Sequence, residues 1–146
     1  MIHARICDLL GIAHPVVLGG IGTATSAPLV AAVSNAGGLG TLGASGMTAA
    51  QVKSKAHAIR AATEKPFGIN HLLFRVDEEA FAVTIDLCPP VIAFAWAHSN
   101  QDLHAYFQRA RDAGSKVMHM AGEVSLAVKG AEAEEIIKDR LNGMMC

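Results

Sequence analysis

The sequence predicts an α/β domain in which about five parallel strands alternate with helices packed outside the sheet. Short apolar segments begin near residues 16, 39, 67, 91 and 117, and helical patterns lie between them. A repeat of roughly 25 residues of strand and then helix is typical of a parallel sheet. The 146 residues, 51% of them hydrophobic, are enough to fill one core, so the length indicates one domain. Two architectures share this rhythm: an open doubly wound sheet, which the length favours, and part of an eightfold (β/α) barrel.

The stretch from 15 to 43 contains the clearest strand–helix–strand unit. An apolar strand, Pro15–Leu18, is followed by a glycine cluster of Gly19, Gly20 and Gly22. A helix begins at Ser26, and a second apolar strand follows at Leu39–Leu42. Nine of the fourteen glycines lie at or before Gly46. This bias indicates that the backbone closely approaches either a ligand or a neighbouring strand.

The glycine cluster matches a dinucleotide-binding fingerprint poorly. Gly20 and Gly22 would need a glycine or alanine at position 25, which is Thr25. No acidic residue for a ribose hydroxyl occurs between Leu9 and Val52. Two interpretations remain: tight turns between strand and helix, or main chain lying against a planar or anionic cofactor.

The other elements follow from caps, breakers and apolar stripes. The further strands are predicted at Phe67–Asn70, Val91–Trp96 and Val117–Met120. The helices are predicted over 3–10 (a helix or cap), from Thr48 with Gln51 completing a capping box, and from Asp77 to Leu87. Two more follow: one capped by Ser99 or Asn100 and ended by Gly114, and one from Glu123 that is interrupted near Gly130. We expect Met118 and Met120 to belong to the core.

Composition excludes several classes of function. A net charge of −1 and 5% aromatic residues argue against a nucleic-acid partner. Three widely spaced cysteines have no zinc-binding pattern and indicate reduced thiols, so no metal site is predicted. The charge-free segment from Leu9 to Val52 is broken by glycine, proline and polar residues, which argues against a membrane span. With no signal peptide visible, we expect a cytoplasmic protein.

The block PVVLGG…LVAAVSNAGGLGTLGASGMT, followed by KPFGIN, resembles the nitronate monooxygenase family, formerly called 2-nitropropane dioxygenases. The resemblance runs from about residue 6 to about residue 128. It implies a TIM (β/α) barrel and an FMN cofactor, and a relationship to flavin-dependent enoyl-ACP reductases. The fold expectation therefore becomes a partial TIM barrel of about five parallel strands with outer helices.

The resemblance also implies which residues contact the flavin. Gly20, Ile21 and Gly22 match the backbone that lies against the flavin ring, and Asn70 matches an asparagine that hydrogen-bonds to it. The family commonly has glutamine at the position of Leu18 and methionine at that of Ile21. Since the side chain of leucine cannot form a hydrogen bond, any polar contact made by the side chain of that glutamine is absent here.

The resemblance leaves the catalytic group unassigned. The family's catalytic histidine lies in an AGGH-like run that does not occur in this sequence, so we expect no catalytic residue from that motif. His71 and His98 are the candidates, because both follow strands near the expected site. Strand alternation puts the side chains of His71 and Asn70 on opposite faces unless the strand has ended.

The end of the chain departs from the family pattern. We expect residues 1–128 to form the N-terminal part of an FMN-dependent barrel, and residues 129–146 to form a C-terminal helix joined to it by an internal deletion. A cut or a frameshift is the alternative. In the family, glycine-rich loops later in the barrel hold the phosphate of FMN, and a chain of this kind lacks most of them. We therefore expect weak or absent FMN binding and little activity.

The function implied by the resemblance is oxidation of alkyl nitronates with O2 and FMN. Two alternatives stay open: a relative of the flavin-dependent enoyl-ACP reductases, and a non-catalytic half-barrel that acts by self-association. The open sheet edges of a half-barrel predict a homo-oligomer. The expected partners are otherwise a small-molecule substrate and O2, with no nucleic acid and no membrane.

Overall fold

Four parallel strands form the centre of the molecule. The computed structural model describes residues 4–143, with side chains over 4–22 and 24–133. Within these residues the strands are β1 (Gly40–Gly43), β2 (Phe67–Leu72), β3 (Val91–Ala95) and β4 (Lys116–Met120), paired in the order β1-β2-β3-β4. Sequential parallel pairing through right-handed connections puts the intervening helices on one face of the sheet. A doubly wound sheet would reverse its strand order, so the partial barrel is the architecture observed.

The predicted first strand is reduced to a single bridge. Val17 pairs in parallel with Leu39, and the flanking backbone hydrogen bonds are 2.9 Å each, from Leu18 N to Leu39 O and from Leu39 N to Val16 O. The chain then crosses the ends of β1 and β2, where Gly20 lies against Gly43 and Asn70, so the ladder does not lengthen. The expected strand position is therefore confirmed, but the sheet has four strands and one bridge instead of five full strands.

Six helices occupy the described chain, together with two short 3₁₀ turns. The helices are α1 (Arg5–Leu10), α2 (Ala27–Asn35), α3 (Ala49–Ala62), α4 (Glu78–Leu87), α5 (Leu103–Asp112) and α6 (Val124–Gly143), and the turns are Gly22–Ala24 and Leu73–Arg75. The predicted caps at Ser26 and Asp77 are present, accepting from Leu29 N at 3.4 Å and Ala80 N at 2.8 Å.

Two predictions about helix boundaries were wrong. Asp102, and not Ser99 or Asn100, caps α5, because a turn closed by the hydrogen bond from Gln101 N to His98 O comes first. Helix α6 is also continuous through Gly130. The proposed joint at residue 129 thus lies inside a helix, and the deletion itself stays a prediction.

The helix-facing side of the sheet holds most of the core. Leu42 and Ile69 pack with α3, while Ile92 and Phe94 pack with α4 and α5. The opposite face is covered only at its N-terminal end, where Cys7, Leu10 and Ile12 meet Leu39 and Val91. This arrangement leaves the carboxyl ends of the strands open on the face away from the helices.

Helix α3 offers a test of the capping box. The Thr48 hydroxyl accepts a hydrogen bond from Gln51 N at 3.3 Å, and the Gln51 side chain accepts one from Thr48 N at 2.9 Å. We expect Thr48→Ala to lower the free energy of unfolding by about 1 kcal/mol, measured by urea denaturation. Thr48→Ser keeps the acceptor, so equal losses in the two variants would contradict a capping role.

Candidate functional site

A cavity of about 480 Å³ lies at the carboxyl ends of the strands, on the face away from the helices. Its size is within the range of ~300–1,000 Å³ that is usual for small-molecule sites. The lining comprises residues 17–21, 93–96 and 118–120 together with Thr41, Asn70 and Leu72. Because barrel enzymes build their sites at this end of the strands, the cavity is the candidate active site.

One wall of the cavity is the glycine loop, residues 19–22. A Cβ added to Gly20 would lie 2.8 Å from Asn70 Cβ and 3.1 Å from Gly43 Cα. A Cβ added to Gly43 would lie 2.7 Å from Gly22 N. The loop can therefore rest on the ends of β1 and β2 only with glycine at both positions. The sequence predicted that the glycine backbone closely approaches either a ligand or a neighbouring strand. The approach observed is to neighbouring strands, and the loop also lines the cavity.

Thr25 fastens the glycine loop to β1, a role the sequence analysis missed. Its fully buried hydroxyl donates to Gly22 O at 2.9 Å and accepts from Gly43 N at 3.0 Å. In the sequence this threonine appeared only as a mismatch to the dinucleotide fingerprint. Nothing in the local pattern distinguishes it from an ordinary polar residue before a helix cap.

Two polar side chains lie on the cavity floor. Asn70 is 9% exposed and lines the cavity. The Thr41 hydroxyl is buried and has no partner in the described part of the chain. A buried polar group left unpaired costs about 1–3 kcal/mol, so a ligand that bonds to the Thr41 hydroxyl would recover that cost.

The two histidine candidates lie outside the cavity lining. His71 is buried on the helix-facing side of the sheet, where its Nε2 lies 2.9 Å from Thr84 Oγ1 and its ring packs edge-on against Phe81. Burial lowers the pKa of His71 to about 4, although the carboxylates of Glu78 and Asp77 partly oppose this. His98 is exposed on the loop after β3, with its ring 6.2 Å from that of Phe74.

The structure therefore groups only some of the predicted site residues. Gly20, Ile21 and Asn70 line the cavity together, and Gly22 begins the adjoining 3₁₀ turn. His119, at the cavity edge, packs against Phe107, and burial lowers its pKa.

The far wall of the cavity is apolar, and the sequence analysis did not identify it. Trp96, Met118 and Met120 form this wall with the small residues Ala93 and Ala95. The prediction that Met120 belongs to the core was wrong, since its side chain is 56% exposed. Strand alternation could have given the common face of Met118 and Met120, but not that the face borders a cavity.

The lining fits the ring of a flavin but not its phosphate. The Asn70 amide and the unpartnered Thr41 hydroxyl suit the polar edge of the ring, and the backbone of the glycine loop suits one of its faces. No arginine or lysine occurs in the lining, so these residues offer no counter-charge to a phosphate. Elsewhere in the described chain, no group of three or more histidine, cysteine or acidic side chains is placed to hold a metal ion. None of the described helices has both the length and the apolar character needed to cross a membrane.

Comparison with known proteins gives relatives across most of the chain. The family model described as nitronate monooxygenase matches residues 3–131. A (3aS,4S,5R,7aS)-5-hydroxy-7a-methyl-1-oxo-octahydro-1H-indene-4-carboxyl-CoA dehydrogenase of Mycobacterium tuberculosis is 35% identical over 89% of this chain and 36% of its own length. A probable nitronate monooxygenase of Staphylococcus aureus is 38% identical over 45% of this chain and 19% of its own.

Solved structures agree with the architecture. FabK from Thermotoga maritima superposes with a TM-score of 0.82 and 33% identity, covering 91% of this chain and 42% of that one. A nitroalkane oxidase from Streptomyces ansochromogenes, at 22% identity and a TM-score of 0.76, supports the fold alone. The chain thus spans less than half the length of each of these relatives.

Proposed function

Because the chain belongs to the nitronate monooxygenase family, we propose that it acts in a flavin-dependent oxidoreductase whose flavin ring contacts the glycine loop and Asn70. The observation that carries this proposal is the Asn70 amide, 9% exposed and held beside Gly20 at the carboxyl ends of the strands. Both groups match the positions that the family resemblance assigns to the flavin.

The chain's own residues would bind and orient the cofactor. Bound FMN supplies a two-electron acceptor that O2 can reoxidise. The backbone of Gly20 and Ile21 would lie against the ring, and the Asn70 amide would fix the direction of its polar edge, with Leu72 in the same lining. The lining contains no carboxylate. A nitronate suits such a site, because it arrives already deprotonated and needs no general base for its oxidation.

A second oxidoreductase function is favoured by a specific comparison. The mycobacterial relative acts on a carboxyl-CoA ester, and its similarity extends over 89% of this chain. Oxidation or reduction of an acyl thioester next to the same flavin is therefore the competing proposal. Nitronate-dependent oxygen uptake is compared with two thioester assays: anaerobic reduction of the flavin, which reports oxidation of the thioester, and thioester-dependent NADH oxidation, which reports its reduction.

Asn70→Ala tests the cofactor site. We expect the variant to bind FMN about tenfold more weakly than the unaltered chain, because one hydrogen bond to the ring is lost. Calorimetric titration of the purified chain with FMN measures this. Riboflavin is expected to bind nearly as well as FMN, since the cavity offers the phosphate no cation.

Asn100→Ala is the matched control for this titration. Asn100 is an exposed asparagine on the loop after β3 and does not line the cavity. Its replacement is expected to leave FMN binding unchanged. The cofactor proposal fails if the unaltered chain binds neither FMN nor riboflavin, or if Asn70→Ala binds both as well as the Asn100→Ala control does.

A further inference from the structure

The backbone of Trp96 is held in an unusual conformation. Its φ is +57°, and among the described residues only Cys88, which ends α4, is another non-glycine with positive φ. A bulky side chain rarely occupies this left-handed region, because its Cβ crowds the backbone. The conformation is held by its neighbours: Ala95 still pairs in the sheet, and Trp96 O accepts a hydrogen bond from Phe74 N at 3.1 Å.

Trp96 departs from the side-chain alternation of β3. Phe94 packs in the helix-side core, while the next residue, Ala95, lines the cavity. Continued alternation would return residue 96 to the helix side. Instead Trp96 borders the cavity, is 59% exposed and is not part of the helix-side cluster, against which the following residue, Ala97, packs. The strained residue thus borders the cavity and is not in the core.

The surroundings of Trp96 define the chemistry of what it contacts. Ile21 and Met120 line the same cavity and are 64% and 56% exposed, and the lining residues Ala93 and Ala95 are small. None of the lining residues is lysine, arginine, aspartate or glutamate. Polar lining side chains lie on β1 and β2, at Thr41 and Asn70, and on β4, where the buried Nε2 of His119 has no partner among the described residues and the ring packs against Phe107. The wall formed by Trp96 and Met120 is otherwise apolar, and Ile21 adds an apolar side chain from the glycine loop.

We propose that Trp96, Met120 and Ile21 form a binding site for the bulky, uncharged apolar body of the substrate. A ring or a branched carbon skeleton packed on the indole would bury apolar surface that a small nitronate leaves exposed. The substrate assignment rests on the flavin-dependent function proposed above, whereas binding of the apolar body is measured without the flavin.

Trp96→Gly tests the proposal with little risk to folding, because glycine adopts positive φ without strain. The probes are 2-naphthamide and propanamide, which share an amide but differ in apolar bulk. By calorimetry we expect Trp96→Gly to weaken 2-naphthamide binding by at least about tenfold and to leave propanamide binding unchanged. Trp96→Phe keeps an aromatic ring and is expected to retain most of the affinity.

Trp96 is the only tryptophan in the chain, so its fluorescence reports on the mouth of the cavity alone. Saturating 2-naphthamide is expected to protect Trp96 from quenching by acrylamide, and propanamide to give no protection. Val124→Ala, which changes an exposed apolar residue outside the lining, is the binding control. Equal affinity of Trp96→Gly and the unaltered chain for 2-naphthamide would overturn the proposal. If the unaltered chain does not bind FMN, but Trp96→Gly still weakens the binding of 2-naphthamide and not that of propanamide, only the cofactor assignment is refuted.

Discussion

Replacing Gly43 with alanine is expected to lower the free energy of unfolding by about 2–3 kcal/mol and to abolish most flavin binding. The new methyl group would lie 2.7 Å from Gly22 N, 3.0 Å from Gly20 C and 3.1 Å from Gly20 O. All three atoms belong to backbone, so no side chain can rotate to make room. Either β1 or the glycine loop must move, and movement of the loop breaks the 3.0 Å hydrogen bond from Gly43 N to Thr25.

The two effects of Gly43→Ala are measured separately. Urea denaturation gives the stability, and FMN titration gives the affinity, for which we expect a loss greater than the ~10-fold loss at Asn70, because the whole loop is displaced. Gly19→Ala is the matched stability control. Its Cβ would meet nothing within 4 Å and its φ is not positive, so a change within about 0.5 kcal/mol is expected. Equal stability of the Gly43 and Gly19 variants would show that the loop is not pressed against the strand.

The sequence predicts those features of the fold that depend on local chemistry. Ser26, Thr48 and Asp77 act as caps where expected, because a cap needs only one side chain and a nearby amide. The cap of α5 was misplaced because Ser99 and Asn100 are equally good capping residues. Only the turn closed onto His98 O delays the helix to Asp102. Strand order could not be read from the rhythm of strands and helices, which both candidate architectures share, and the family resemblance decided it.

The candidate site was predictable on one side only. The glycine loop follows the bridge at Val17, and Asn70 lies near the end of β2, with β1 between them. Their meeting at the carboxyl ends is a consequence of parallel topology. The apolar side depends on the φ of a single residue, Trp96, and no sequence pattern encodes a tryptophan in the left-handed region. His71 shows that adjacency in sequence to a site residue does not put a side chain in the site. It is adjacent to Asn70 in sequence, yet strand alternation puts it against Phe81 and Thr84 in the helix layer.

That placement gives His71 a large effect on stability. Thr84 Oγ1 donates to Ala80 O at 2.9 Å, so it must accept from His71, whose Nε2 therefore carries the proton. The pKa of His71 falls from 6.5 to about 4 in the folded chain, chiefly because burial disfavours the charged ring. The unfolded chain thus binds more protons than the folded chain between these two values. The stability from neutral His71 is complete above pH about 6.5 and is lost as the pH falls toward about 4.

We expect the free energy of unfolding to fall by about 2 kcal/mol between pH about 7 and pH about 5, a window above most carboxylate titration. Urea denaturation at the two pH values measures the change. His71→Gln removes the titrating ring but keeps a donor for Thr84, so most of the pH dependence should disappear even if the variant is less stable at both values. His57→Gln changes an exposed histidine of α3 and should keep the full dependence. If His71→Gln loses as much stability between the two pH values as the unaltered chain does, burial of the His71 ring does not control the acid sensitivity of the protein.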